Sequence, residues 1–172
     1  MKIDLIEIPF EQKEILRNLL EKSGYEFSQY NDGDLNDLGL IGHKWLDVFW
    51  LENGWHAYFI KVENKLAGYV LMTDVVDKLF NNNYQIWDLF IIYKYRRQGV
   101  GTYVMNEIFK KFKGRWQITR HKKNIAAKYF WDMMINKSAK EYKIYQNDEI
   151  KAMLPDIDLS KNVDLECIVF DV

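Results

Sequence analysis

From Lys2 to Ile8 the chain places Ile3, Leu5 and Glu7 on one face and Asp4, Ile6 and Ile8 on the other. This imperfect alternation predicts a short strand stopped by Pro9. Ile15, Leu16, Leu19 and Leu20 share one helical face, with Glu11, Glu14, Arg17 and Glu21 around the rest and Gly24 as the expected stop. Residues 25–54 show no single period, because Asp32, Gly33 and Asp34 interrupt a scatter of aromatics, and short helices and loops are expected there. Ala57 to Val62 and Leu66 to Met72 are rich in strand formers and are separated by Glu63, Asn64 and Lys65, which predicts a hairpin. Asn81, Asn82 and Asn83 mark a further turn. Tyr84 to Ile92 is apolar on both faces apart from Gln85 and Asp88, the pattern of a strand inside a sheet.

Val100, Tyr103, Val104, Ile108 and Phe112 then form a helical stripe, Gly114 follows, and Arg115 to Thr119 alternates as a strand. Asn124 suits the cap of another helix whose Ala126, Tyr129, Phe130, Met133 and Met134 face a core, and strands near Tyr142 to Tyr145 and Leu165 to Phe170 complete the pattern. The order of strand, helices, three strands, helix, strand, helix and two strands predicts a mixed α/β or α+β domain. At 172 residues, with a formal charge of -1 and 48% apolar residues, the chain reads as one globular domain, 1–172, large enough to bury its own core. Cys167 is the sole cysteine, which excludes an internal disulfide and a cysteine-built zinc site; no metal is expected. No stretch approaches the ~20 apolar residues of a membrane helix, and the acidic and basic residues of the first twelve positions do not suit a secretion signal. A cytoplasmic protein without membrane partners, monomeric or homodimeric, is the expectation.

Charge changes this picture locally. Residues 1–60 carry five basic against eleven acidic side chains, a net of -6. Residues 94–128 carry eleven Lys and Arg against Glu107 alone, a net of +10. Such a field attracts either nucleic acid or a small ligand bearing several phosphates, unless it is simply a solvated helix face.

The stretch from Leu89 to Thr102 favours the small ligand. A buried strand ends, Arg96, Arg97, Gln98, Gly99, Val100 and Gly101 follow, and a helix begins at once. Glycine permits a tight turn and close approach of backbone amides, and the unpaired amides opening a helix favour an anion. Two arginines at the same mouth suit a pyrophosphate better than one carboxylate. The dinucleotide fingerprint is excluded because Val104 stands where its third glycine belongs, and a P-loop is excluded because no Gly-Lys-Ser/Thr follows.

Arg96, Gly99 and Gly101 occupy all three positions of the Arg/Gln-x-x-Gly-x-Gly/Ala turn, and Asn124 and Ala127 match a downstream Asn-x-x-Ala helix start. In these respects the chain resembles the GNAT superfamily of N-acetyltransferases. The resemblance implies a twisted sheet with antiparallel and parallel pairing flanked by helices, acetyl-coenzyme A as cosubstrate, and a small-molecule or peptide amine as acceptor rather than nucleic acid. It further implies that the backbone of Leu89, Phe90 and Ile91 lies along the pantetheine arm, with the Leu89 N–H near the thioester carbonyl. The amides from Arg97 through Gln98, Gly99, Val100, Gly101 and Thr102 would hold the pyrophosphate, and Asn124, Ala127 and Phe130 would line the other side of the arm. Lys122, Lys123 and Lys128 fall within reach of the ribose phosphate.

The usual catalytic positions are not filled in the usual way. The superfamily's general base aligns with Gln85 or Trp87, and its general acid with Trp131, none of which exchanges a proton near neutral pH. Tyr129 lies about 200° around the helix from Trp131 and is expected in the core. Asp88 is the nearest ionisable group on the strand: it could act as base through a water, bind the substrate's ammonium, or accept structural hydrogen bonds. His43, His56 and His121 are further candidates, and positioning of the amine alone is another route. No residue near the turn reads as a covalent nucleophile, and Cys167 is expected to pack in the core, so direct transfer is favoured; the alternative is a non-catalytic acyl-coenzyme A binding domain. Glu26, Tyr30, Asp32, Asp34, Asp37 and Trp45 in the acidic front segment would suit a cationic acceptor.

Overall fold

The computed structural model describes residues 1–31, 33–76, 79–153 and 164–172. Among these residues seven strands form one sheet in the order β1-β2-β3-β4-β5-β7-β6: β1 (Ile3–Glu7), β2 (Trp55–Val62), β3 (Lys65–Thr73), β4 (Tyr84–Ile91), β5 (Arg115–His121), β6 (Tyr142–Gln146) and β7 (Leu165–Asp171). All neighbours are antiparallel except β4 and β5, which are parallel. The helices are α1 (Lys13–Phe27), α2 (Val48–Leu51), α3 (Val100–Lys111), α4 (Ile125–Ser138) and α5 (Asn147–Met153). The mixed sheet flanked by helices agrees with the expected fold class.

Local chemistry explains most boundaries. Glu63 and Asn64 both have positive φ and form a two-residue turn between the paired Val62 and Lys65, so the hairpin is one residue tighter than the pattern suggested. Gly24 does not stop α1. The helix runs on to Phe27, and a β-carbon at position 24 would lie only 3.0 Å from Ile41, so this glycine admits the following loop against the helix. Asn124 caps α4 by accepting the Ala127 N–H at 3.0 Å. The short α5 had no expected counterpart, and its described residues include no buried side chain that would impose an apolar stripe.

The two sheet faces differ. On one, apolar residues of β2, β3, β4, β5 and β7 pack with α3 and α4 around Trp116, Met105 and Ile168. On the other, Leu16, Leu19 and Leu20 of α1 and Phe49 of α2 cover Phe59, Tyr69, Leu71 and Phe90, while Phe80, Cys167 and Val169 form a separate small cluster over β7. Cys167 is buried there, as expected of a packing residue.

Candidate active site

The site is built where two irregularities meet in β4. First, Leu71 of β3 pairs with Asp88 but Met72 pairs with Ile86, so Trp87 is an extra residue, a β-bulge. Ile86 and Leu89 belong to the α3/α4 side, whereas Trp87 touches Trp45 and Trp55 and Asp88 touches α1. The bulge therefore turns two consecutive side chains toward the α1/α2 side. Second, β4 and β5 pair only at Tyr84, Gln85 and Ile86 with Trp116, Gln117 and Ile118. Beyond Ile86 the strands separate, which leaves β4 main chain from Leu89 to Ile91 without a β5 partner.

At the end of β4 the chain enters a turn rather than running straight into α3. Arg97 has φ 60° and Gly99 φ 80°, the left-handed region in which glycine is favoured and arginine is uncommon. Alternation of this kind points successive N–H groups into one concavity. Among the described residues no side chain caps α3 and nothing lies within 4 Å of a β-carbon placed on Gly99, so the helix entrance is open to a ligand. Gly101 works differently: a β-carbon there would lie 3.1 Å from the Phe130 ring and 3.2 Å from Ile91. It brings α3, α4 and β4 together, with Phe130 and Ala127 against the core beside the separated strands.

The two arginines of the turn do not act alike. Arg96 donates from Nη2 to both Glu26 carboxylate oxygens at 2.7 and 3.0 Å, donates from Nε to the Ile91 carbonyl, and lies 4.0 Å over the Tyr93 ring. Its charge ties α1 to the turn and is paired with Glu26. Arg97 lies 5.7 Å over the ring of Tyr129. That tyrosine is 63% exposed, so the expectation of a core role for it is corrected. The Gln98 side chain is occupied by the Lys94 carbonyl at 2.6 Å. Among the lysines, Lys123 pairs with Asp164 at 2.6 Å and Lys128 lies 3.8 Å from Asp132 and 3.9 Å from Glu166.

Asp88 is the central titratable group. Its Oδ2 accepts from the Tyr69 hydroxyl in a short contact and from Ser23 Oγ at 3.3 Å. Burial raises its pKa above the usual carboxylate value, against the opposing influence of the Tyr69 and Ser23 hydrogen bonds, a weaker one from the Leu89 amide and the nearby His43. Burial first, then the Asp88 charge, pushes Tyr69 well above an ordinary phenol, which keeps it a donor. Neither Tyr69 nor Ser23 was anticipated. Ser23 follows Leu19 by four residues, so a polar side chain on the apolar stripe of α1 was the available signal; Tyr69 meets Asp88 only through strand pairing.

The histidines separate. His43 is buried beside Trp45, with Nε2 3.7 Å from Glu21 and, among the described residues, no hydrogen bond to that atom. His56 pairs with Asp74 at 3.1 Å where β2 begins and β3 ends, beside Tyr58 and Phe112 on the α3/α4 side. His121 ends β5, accepts the Lys123 N–H on Nδ1, and stacks on Tyr30 with Phe27 edge-on, so the end of α1 closes over the separated strands. Of the acidic front segment, Glu26 is used by Arg96, Asp34 and Asp37 are exposed, and Asp32 lies outside the described residues.

A model of the acetyltransferase (GNAT) family matches residues 16–134. This chain belongs to that family. The GNAT arrangement also recurs among solved structures. An acetyltransferase from Thermus thermophilus has a TM-score of 0.65 at 12% identity, covering 100% of this chain and 98% of that one. A PaiA N-acetyltransferase from Thermoplasma acidophilum, in complex with coenzyme A, has a TM-score of 0.61 at 13% identity with 100% of both chains covered. A protein from Bacillus anthracis solved in complex with acetyl coenzyme A has a TM-score of 0.55 at 13% identity, with 99% of both chains covered. At such identities the likeness is one of fold. A search of curated proteins finds no match.

Within the GNAT frame, Trp131 is buried in the core against Phe130 rather than presented at the strand gap. Trp87 is a wall on the α1/α2 side. Among the described residues no helix is long and apolar enough to cross a membrane.

Proposed function

We propose that this chain is an acetyl-coenzyme A dependent N-acetyltransferase that moves the acetyl group directly to an amine bound at the same time. The observation that carries the reading is the open amino end of α3, with Arg97 and Gly99 both left-handed, directly after a strand that has parted from its neighbour. Amides from Arg97 to Thr102 would hold the pyrophosphate of the cosubstrate. The main chain of Leu89, Phe90 and Ile91 would pair with the pantetheine amides, and Asn124, Ala127 and Phe130 would form the opposite wall. The thioester then lies beside the bulge, and the Leu89 N–H serves its carbonyl oxygen by leaving Asp88.

Asp88 is the base in this reading. A carboxyl whose pKa burial has raised is a better match for taking an ammonium proton near neutral pH, directly or through a water. The freed nitrogen attacks the thioester carbon, the carbon–sulfur bond breaks, and the second proton leaves the nitrogen to solvent while solvent protonates the thiolate, since Trp131 is buried and its indole is no acid. Tyr69 and Ser23 hold the carboxylate on the α1/α2 side, from which the amine approaches.

The buried Trp131 and the indole at position 87 favour a second reading, a non-catalytic acyl-coenzyme A binding domain. Calorimetric titration with coenzyme A, followed by thiol release from acetyl-coenzyme A across a panel of amines, separates the two. Binding with amine-dependent thiol release is expected. Binding without release for any amine supports the second reading, and no binding removes both.

A further inference from the structure

After α1 the chain is drawn back onto the helix by one carboxylate. Glu21 accepts the Ile41 and Gly42 amides at 2.7 and 3.0 Å, and the next residue, His43, is only 9% exposed. Its Nε2 lies 3.7 Å from Glu21, too far for a hydrogen bond, and among the described residues this buried atom has no hydrogen-bond partner. Protonated, the ring becomes an ion-pair partner of Glu21. Rings carry the same imidazole toward the bulge: His43 lies 5.5 Å from Trp45, edge to face, Trp45 lies 6.2 Å from Trp87, and Trp87 precedes Asp88. The charge of a protonated His43 is felt at Asp88. Two carboxylates from different elements therefore act on one histidine, Glu21 from α1 and Asp88 from β4. On its own segment Lys44 is exposed and Asp47 is paired with Lys13 at 2.9 Å.

Asp88 needs such a neighbour if it is to take a proton. Burial favours its protonated form, and a carboxyl that already holds a proton cannot accept one from an ammonium. The Tyr69 and Ser23 hydrogen bonds, the Leu89 amide and the His43 charge act in the other direction. Hydroxyl and amide donors give the same help throughout the neutral range. An imidazole gives more as the medium becomes acid, because its charge appears between about pH 8 and pH 5, on the way to the range where a carboxylate is lost. No ligand has to touch the ring for this effect, since one charge acts on another through packed protein.

We infer that His43 is a positioning residue that acts through Asp88: charged and beside Glu21, it keeps the base ionised as the medium becomes acid. Its part in turnover rests on the transferase reading of the same site, so the coupling of charges is measured apart from turnover. In carbon NMR the Asp88 carboxyl is the resonance missing from Asp88→Asn. Its titration midpoint should move to higher pH in His43→Gln and return toward the parent in His43→Lys, which restores a cation. The reciprocal measurement needs no change at position 43: in Asp88→Asn the His43 ring has lost a negative neighbour and should titrate at lower pH than in the parent. In turnover at saturating acetyl-coenzyme A, His43→Gln should lose about three- to tenfold more of kcat/KM at pH 5 than at pH 8, and His43→Lys should recover most of that difference. Moved midpoints without a change in the pH profile support the coupling and count against Asp88 as the base. Unmoved midpoints overturn the inference, even where His43→Gln is less active at every pH, and leave the transferase reading standing.

Discussion

On the α3/α4 side of β4, Ile86, Leu89 and Ile91 join an apolar cluster that runs from β2 to β7, whereas on the α1/α2 side Trp87, Asp88 and Phe90 stand at the border of a core that breaks before β7. The first side holds main chain at a fixed place. A peptide group can meet a ligand's amides or phosphates repeatedly only if the side chains behind it are packed, and α3 is packed through Gly101 against Phe130 and Ile91. The second side presents side chains, the Asp88 carboxylate held by Tyr69 and Ser23 and the partly exposed indoles of Trp87 and Trp45. The bulge at Trp87 is the device that lets one strand serve both, because it changes which face successive residues occupy.

The largest separation of the two sides is expected from Asp88→Asn. The amide still accepts from Tyr69 and Ser23 but takes no proton from an amine. kcat for amine acetylation should fall by about a hundredfold or more, with coenzyme A affinity by calorimetry within about twofold of the parent. An unchanged kcat would show that positioning alone suffices and would remove Asp88 from the chemistry.

Gly101→Val attacks the other side. Its β-carbon already meets Phe130 at 3.1 Å and Ile91 at 3.2 Å, and two further methyl groups must displace α3, Phe130 or both. Overpacking of this kind costs about 1–3 kcal/mol, so coenzyme A affinity should weaken about tenfold to a hundredfold while amine binding is preserved. Parent affinity for coenzyme A in this variant would place the ligand elsewhere.

The same contrast explains what was legible in the sequence. The turn from Arg96 to Gly101, the strand before it and the Asn124 cap are local: helix entry, left-handed backbone and capping depend on neighbours within a few residues, so a pattern along the chain carries them. The fold class followed for the same reason, since strand and helix periods are local properties. The bulge, the Tyr69–Asp88 hydrogen bond and the Trp45–Trp55–Trp87 wall join residues that are distant in sequence, and no period announces them. Arg96 illustrates the limit. Its place in the motif was readable, but its partner Glu26 lies seventy residues away, and no local pattern announces that pairing.

Glu26→Gln tests that tie with a smaller effect. It leaves the Arg96 guanidinium, already over Tyr93, without its carboxylate. Loss of a charge-assisted pair at this half-buried site should lower unfolding free energy by about 1–2 kcal/mol in urea titration. Because the pair joins α1 to the turn, coenzyme A and amine affinities should both decline a fewfold, unlike either variant above. A decline confined to one ligand would mean that Glu26 serves that site alone.

The smallest effect is on stability against pH. Burial raises the Asp88 pKa in the folded protein above the value near 3.9 expected when unfolded. Between those values the native state binds more protons than the unfolded chain, so unfolding free energy should decrease as pH rises through that window and level off above it. Glu166 acts with the opposite sign. Burial, its largest influence, raises its pKa, but the Arg120 and Gln146 hydrogen bonds and the Arg120 and Lys128 charges outweigh it and leave the pKa lowered. Its stabilisation is therefore present above the ordinary glutamate value and lost as pH falls through the lowered one. Both proteins contain Glu166, so its contribution cancels when Asp88→Asn is compared with its parent by urea titration from pH 4 to 8. The variant should gain stability relative to the parent as pH rises from the acid end. Parallel curves would mean that Asp88 is no harder to ionise in the folded protein than in the unfolded chain, and the α1/α2 side would then lack a base suited to neutral pH.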